Sequence, residues 1–278
     1  MVNFNGGDLV VESVRRCLAA ELFVEVRVGD NGSSDGSVEA LRHMATSSER
    51  LFLTEHGKNL GFATACNRAI EDSRGDYLLL LNPDCLIEPD TLEKMIEQLD
   101  GFPQAGMAGC RLLDPDGSEQ RGCRRNLPTL GSGLATASNR TASGFNLHQQ
   151  PLPDGPIFVE AISGAFMLVR REALDQVGLM DEGYFLHCED LDWCRRFAGA
   201  GWKILFNPAV EVVHHQGTCS APRPVRVEWH KHRGMLRYYR KFLAVERAGF
   251  ISVIVWCGVW ARFTLVVAKG FFSRVISK

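Results

Sequence analysis

Residues 77–84 read Tyr77-Leu78-Leu79-Leu80-Leu81-Asn82-Pro83-Asp84, and the reading of that stretch decides the fold. Four consecutive leucines without polar alternation describe a strand buried on both faces, and such strands belong to sheets covered by helices on either side. Proline then ends the run, because it has no N–H for a ladder and restricts the residue before it. Working outward, the apolar runs 24–28 and 51–54 have the same character, while 9–20, 37–46, 63–73 and 91–99 carry helical spacing. Strand and helix alternate, which is the pattern of an α/β domain with a mostly parallel central sheet. Only residues 1–4 precede the polar turn Asn5-Gly6-Gly7-Asp8, so the chain is expected to start inside its first strand, with no signal peptide ahead of it. Towards the C-terminus, 114–156 is rich in Gly, Pro, Ser, Asn and Arg and is expected to form loops or a flap. Runs 166–169, 203–206 and 211–213 read as further strands around a helix at 190–199, and neither an internal repeat nor a low-complexity tract interrupts them.

The chain has 278 residues, 45% of them hydrophobic and 23% charged, which supplies ample core material and excludes wholesale disorder, collagen and coiled coil. The nine cysteines are scattered, odd in number and form no C-x-x-C pair, which argues against a disulfide framework and a zinc knuckle and favours a reducing cytosol. The formal charge of −2 conceals an asymmetry: residues 1–218 hold 19 Lys and Arg against 31 Asp and Glu, whereas 219–278 hold 12 against 2. An acidic body with a basic tail points away from nucleic acid and towards an anionic surface such as a cytoplasmic leaflet.

Four clusters could carry chemistry. The first, Gly29-Asp30-Asn31-Gly32-Ser33-Ser34-Asp35-Gly36-Ser37, follows a strand and precedes a helix, where open α/β sheets bind ligands; Asp30 could bond a nucleobase or ribose, or the stretch is a tight turn with a capping acid. The second, Asn59-Leu60-Gly61-Phe62-Ala63 with Asn67 beyond it, offers glycine and helix-start N–H groups to an anion, or is a plain helix start. In the third, Asn82-Pro83-Asp84 puts a carboxylate at the mouth of an apolar strand. That costs desolvation unless a positive partner meets it, and Mg²⁺ bridging a diphosphate would be one; the other reading is an Asx-Pro turn. In the fourth, Glu189, Asp190 and Asp192 crowd a helix start, more acid than the helix dipole needs, so one carboxylate is a candidate general base. The pair His214-His215 beside Gly217 ends a strand and could face the same site.

The order NFNG (3–6), DNGSSDGS (30–37), NLGFATACN (59–67), LLLLNPD (78–84), SGAFMLVRREAL (163–174), GLMDEGYFLHCEDLDWCRR (178–196) and HHQGTCS (214–220) resembles family 2 glycosyltransferases, and among them rhamnosyltransferase-like members of cell-surface polysaccharide synthesis. The resemblance covers roughly residues 2–220. It implies a GT-A fold, a nucleotide-diphosphate sugar donor, a divalent metal (Mg²⁺ or Mn²⁺), and inversion at the anomeric carbon; the expected division is a GT-A domain over 1–220 and, from the charge and hydropathy of the sequence, a basic and apolar helical tail over 221–278. Carried over by position, it puts Asn3 and Asp30 near the nucleoside and Asn59, Gly61, Asn67 and Asn82 in the donor cleft. Asp84 and His214 would be metal ligands and Asp190 the catalytic base, with Asn82 standing where the family has the first acid of its metal motif. The leading donor by this resemblance is dTDP-rhamnose. The acceptor would be a growing glycan or a polyprenyl-diphosphate-linked sugar, and Arg121, Arg124 and Arg125 could touch its diphosphate.

Two other classes fit parts of the pattern. A glycoside hydrolase would use two carboxylates and leave Asp30 and Asn82-Pro83-Asp84 without a role. A non-catalytic nucleotide-sugar binding protein would not need Asp190. A processive synthase is disfavoured because a Q-x-x-R-W pattern is absent. The tail joins a basic segment, 223–247, to an apolar run, 248–268, about long enough to cross a bilayer. Arg262 within it would cost roughly 2.5–3.5 kcal/mol at mid-bilayer. A helix lying in the cytoplasmic interface with Trp256 and Trp260 at headgroup level avoids that cost, and packing against the body is the third arrangement. The expected location is therefore cytoplasmic and peripheral, at the inner face of the cell membrane.

Overall fold

The computed structural model describes residues 1–129, 131, 145–217, 224–244 and 249–276, with only the backbone for 271–276. Most of the middle of the expected flap, the expected boundary at 220/221, and Thr218, Arg223, Arg247 and Ala248 lie outside the described residues.

The first half alternates as its sequence requires: β1 (Val2–Asn3), α1 (Gly7–Leu18), β2 (Val26–Asp30), α2 (Ser37–Thr46), β3 (Leu51–Glu55), α3 (Phe62–Glu71) and β4 (Tyr77–Leu81). β1, β2 and β3 form a parallel sheet whose register sets Asn3 beside Asp30 and Asp30 beside Glu55. After β4 come β5 (Cys85–Leu86), α4 (Thr91–Asp100), β6 (Ala105–Leu113), β7 (Arg124–Arg125), β8 (Ile157–Val159), β9 (Ala161–Ile162) and β10 (Phe166–Arg170). Then follow α5 (Arg171–Val177), α6 (Glu189–Gly199), β11 (Lys203–His214), α7 (Pro224–Tyr238), a π-helical turn (Tyr239–Leu243) and α8 (Gly249–Ile276). The second sheet has the order β4-β10-β6-β11-β5, with β8 on β11. Its directions are mixed: β6 and β11 run parallel, while β10 is antiparallel to both neighbours and β5 to β11. The mostly parallel character expected of the sheet thus holds in the first sheet, while in the second the β6–β11 pairing is parallel and the others are antiparallel.

Two features differ from the sequence expectation for identifiable reasons. Strand β6 escapes a search for apolar runs because Gly106 and Gly109 dilute it, yet both glycines are required: a Cβ at Gly106 would lie 2.7 Å from Ala173 Cβ and one at Gly109 2.9 Å from Ile162. The two strands expected at 203–206 and 211–213 are one, β11, with its register shifted between Asn207 and Glu211, around Pro208. Both faces of the sheets are apolar. One core joins Val10, Val14, Leu41, Met95, Leu99 and Phe206, and the other joins Ile70, Met167, Trp193, Phe197 and Tyr238. Tyr238 belongs to α7, so this helix is seated in the body. A crevice of about 520 Å³ lined by Val24, Val26, Leu78 and Leu80 lies between β2 and β4.

Candidate active site

The loop after β2 is organised by one carboxylate. Asp30, 3% exposed, accepts from Gly32 N (2.9 Å), Ser33 N (3.0 Å), Ser33 Oγ (2.5 Å) and Asn3 Nδ2 (2.9 Å). Asn3 also donates to Ser37 Oγ at 2.9 Å and accepts from Gly6 N at 3.1 Å. Both side chains are therefore satisfied within the protein, and what they present outward is the shape of the loop they hold. Asn31 Nδ2 donates to Gly61 O at 3.2 Å and ties this loop to the next. There Asn59 Oδ1 accepts from Gly61 N at 2.9 Å, and Gly61 has φ +88°. A Cβ on Gly61 would sit 2.7 Å from Phe185 O, so only glycine lets the α3 start approach the loop before α6. Asn67 lies behind this surface: it exchanges hydrogen bonds with the Met180 backbone (2.9 and 3.0 Å) and donates to Glu182 Oε1 at 3.0 Å, clamping α3 to residues 180–182.

The end of β4 meets the end of β11. Cys85 pairs with His214 in the antiparallel register, and His215 N donates to Asp84 O at 2.9 Å. This brings His214 Nε2 to 3.1 Å from Asp84 Oδ1, with Asn82 Nδ2 3.4 Å from the same ring nitrogen. The other ring nitrogen, Nδ1, lies 2.7 Å from Gln120 Oε1, an atom that can only accept, so Nδ1 carries the hydrogen. Gln120 is fixed in that orientation because its Nε2 donates to Asp114 Oδ1 at 2.7 Å and His214 O at 2.8 Å. In neutral His214, Nε2 then points a lone pair at a carboxylate oxygen. Two acceptors this close need a proton or a cation between them, and both side chains are buried. Asp84 and His214 thus fit a divalent cation. Cys85 lies in the same cluster, but its thiol donates to Ala165 O at 3.4 Å and burial pushes its pKa well above the usual value, so it remains a protonated core group.

The third element is the start of α6. His187 and Cys188 both adopt left-handed backbone, φ 69° and 71°, immediately before Glu189 and Asp190, a strain of the kind found at functional sites. Asp190 Oδ2 accepts from Arg125 Nη2 at 2.5 Å and Gly164 N at 3.3 Å, and Oδ1 accepts from Leu191 N at 2.8 Å. Burial alone would raise the Asp190 carboxyl, but the Arg125 charge and these hydrogen bonds outweigh it and hold the group below its ordinary range. Glu189 is affected in the opposite sense: burial and the neighbouring Asp190 charge raise it, and its Oε2 has no hydrogen-bond partner among the described residues. Two adjacent carboxyls are thus separated into one held ionised and one pushed towards the neutral form. One short turn connects the two halves of the site. Gly164 N contacts Asp190, while its neighbour Ala165 accepts from Asn82 N at 2.9 Å.

Two of the three flap arginines, Arg124 and Arg125, require a correction. Arg124 is 2% exposed and bound by Glu119 at 2.8 Å, and Arg125 is spent on Asp190 and Ile162 O (2.6 Å), so neither is free for an acceptor diphosphate. The reason is that β7 pairs with β9 and draws both inward. Sequence reading also missed Gln120. A polar residue with no periodic pattern gave no signal there, because its role exists only once β11 is beside it.

The fold and site together define an α/β enzyme with its polar side chains gathered at strand ends and helix starts, and comparison with known proteins gives the family. Residues 1–178 match the family model for Glycosyl transferase family 2. Over 223 residues, 74% of this chain and 71% of the relative, the sequence is 34% identical to the N-acetylglucosaminyl-diphospho-decaprenol L-rhamnosyltransferase of Mycobacterium tuberculosis. Over 144 residues, 50% of this chain and 52% of the relative, it is 28% identical to the rhamnosyltransferase WbbL of Escherichia coli. A solved mannosyltransferase, PcManGT from Pyrobaculum calidifontis in complex with GDP-Man and Mn²⁺, has the same fold with a TM-score of 0.60 at 16% identity, covering 99% of this chain and 79% of that one. This chain belongs to glycosyl transferase family 2 and is a glycosyltransferase.

Proposed function

We propose that the chain transfers a single sugar, with inversion, from a nucleotide-diphosphate donor to a lipid-linked or growing glycan acceptor in cell-surface polysaccharide synthesis. The work takes place at the inner face of the cell membrane. The observation that carries this reading is the Gly164-Ala165 turn, which joins the Asp84–His214 pair to Asp190 in one site. Relatives named as rhamnosyltransferases, one of them for a decaprenol-linked acceptor, support rhamnose from dTDP-rhamnose as donor and a polyprenyl diphosphate as acceptor carrier. A divalent cation, Mg²⁺ or Mn²⁺, would be held by Asp84 Oδ1 and His214 Nε2 with Asn82 alongside. When bound it would offset the charge that grows on the departing diphosphate.

The rest of the work falls to the chain. Asp190, kept ionised by Arg125, takes the proton of the attacking acceptor hydroxyl on a carboxylate oxygen, which makes attack from the face opposite the leaving group productive without a covalent intermediate. Asp30 and Asn3 hold the 30–37 loop against which the nucleoside rests, and Asn31, Asn59 and Gly61 set the facing wall. Asn67 and Glu189 act behind the surface, the first by clamping residues 180–182. The arrangement does not suit a glycoside hydrolase, whose two carboxylates must face each other across a bond; here one is buried and the other is tied to arginine.

The deciding experiment offers a panel of nucleotide sugars with and without a polyprenyl-diphosphate-linked acceptor and scores nucleoside diphosphate release. Release from dTDP-rhamnose that requires the acceptor is the expected result. Release from another donor would replace the sugar assignment, and equal release without acceptor would overturn transfer to that acceptor.

A further inference from the structure

The tail contains a groove that the transfer reaction does not use. Helices α7 and α8 form a hairpin cemented by Trp229 against Trp260 (ring centroids 4.7 Å) and Phe263 (5.8 Å), by His232 against Phe263 (5.5 Å), and by Tyr239 Oη with Ser252 Oγ at 3.1 Å. Beside this seam opens a groove of about 510 Å³ whose lining includes Trp229, Trp256 and Trp260 together with Arg233, Arg237, Arg240 and Lys241. The cations fall into two sets. Arg237 and Lys241 are bound to Asp181 at 2.7 and 2.8 Å, and Lys241 also to Asp192 at 2.7 Å. Arg233 and Arg240 are exposed and have no ion-pair partner among the described residues.

Three tryptophans around exposed guanidinium groups describe a headgroup-level site, since indole prefers the boundary between hydrocarbon and water and guanidinium binds phosphate oxygens. The outward face of α8 supplies what should lie beneath the headgroups: Phe250, Val253, Ile254 and Leu265 are between 47% and 74% exposed. Gly249–Gly270 is long and apolar enough to cross a bilayer, and none of its most apolar stretch is buried. Arg233 lies in α7 and Arg240 in the π-helical turn that follows it, and both line the groove. The groove opens beside the uncovered apolar stretch of α8, which favours phospholipid headgroups of a leaflet as its occupants.

We propose that the α7–α8 groove seats the phosphate headgroups of anionic phospholipids through Arg233 and Arg240, with the outer face of α8 in the acyl region. This deepens the membrane-face part of the reading above and is independent of the transfer chemistry, so a chain inactive towards every donor would still bind vesicles. The groove is also braced to the catalytic loop, because Asp181 and Asp192 hold its inner cations and Asp192 lies on α6 two residues after Asp190.

The test is flotation of the full chain with vesicles of phosphatidylcholine alone, of phosphatidylcholine with phosphatidylglycerol, and of phosphatidylcholine with a small amount of polyprenyl diphosphate. Phosphatidylglycerol should strengthen binding in a salt-sensitive way, and Arg233→Ala with Arg240→Ala should weaken that binding roughly thirty-fold. The control pair Arg74→Ala with Lys203→Ala, on the exposed surface of the body, should have no effect. Equal losses in both pairs would show a general charge effect and overturn the site, as would no loss in the first pair. If polyprenyl diphosphate alone restores binding that depends on Arg233 and Arg240, the phospholipid assignment is wrong. Because both arginines are exposed and have no ion-pair partner among the described residues, the variant should fold, and an unchanged circular dichroism spectrum and melting temperature will confirm it.

Discussion

Among single residues, Asp190 is the sharpest test of the site. Asp190→Asn keeps the shape and the Leu191 hydrogen bond but removes the proton acceptor, so transfer should fall by about 10²–10⁴ with donor affinity within a few fold. Single-turnover assays alongside donor titration would check this, and a variant of near-normal rate would move the base elsewhere. Gln120 offers a test that does not depend on turnover. If its Oε1 fixes the His214 tautomer, Gln120→Leu should weaken Mn²⁺ binding roughly 10–100-fold, as loss of a hydrogen bond behind a metal ligand does, and Asp84→Ala should weaken it more. Titration of Mn²⁺ followed by its paramagnetic signal reads both variants. A Gln120→Leu protein that binds Mn²⁺ normally would remove Gln120 from the site, and full transfer activity in excess EDTA would remove the metal.

At the scale of elements, α7 is held to the loop before α6 by Asp181. Burial would raise this carboxyl, but Arg237, Lys241 and the Gly183 N–H outweigh it and hold it far below the ordinary aspartate range. A depressed folded pKa means that the stabilisation is complete above the unfolded value of about 3.9 and is lost as the pH falls through and below it. Acidification should therefore release α7, visible as increased amide exchange in Pro224–Tyr238 before the sheets respond. In Asp181→Asn that release should already be partial at neutral pH and show little further dependence on acid. If wild type and variant exchange identically at every pH, the Asp181 bridges do not hold the helix. Sequence indicated the start of α6 and its crowd of acids, but the assignment of Asp190 to Arg125 came from β7 pairing with β9, two residues on each strand, which no periodicity announces.

For the whole molecule, the division into 1–220 and 221–278 meets a different division by burial. Within α7, Tyr238 is part of the body's apolar core, whereas the apolar stretch of α8 is not buried. We therefore expect α7 to unfold with the body. Lys241→Ala, which takes a cation from the fully buried Asp192, should lower the main calorimetric transition by about 1–3 kcal/mol. A main transition left unchanged, with a separate tail transition shifted, would restore the boundary near 220.

The sequence by itself determined the α/β alternation, the family, and the three strand ends and helix starts that carry Asp30, Asp84 and Asp190, because these rest on local patterns: apolar runs, turn chemistry and clustered acids. It also showed the charge asymmetry and the apolar tail. Only the tertiary structure decided which side chains meet. His214 faces Asp84 because β11 runs antiparallel to β5, and Gln120 reaches His214 across 94 residues. Asn67 turns away from the cleft to clamp residues 180–182. Strand register is set by the packing of the whole sheet, so contacts between distant strands are not written in any local stretch of the chain.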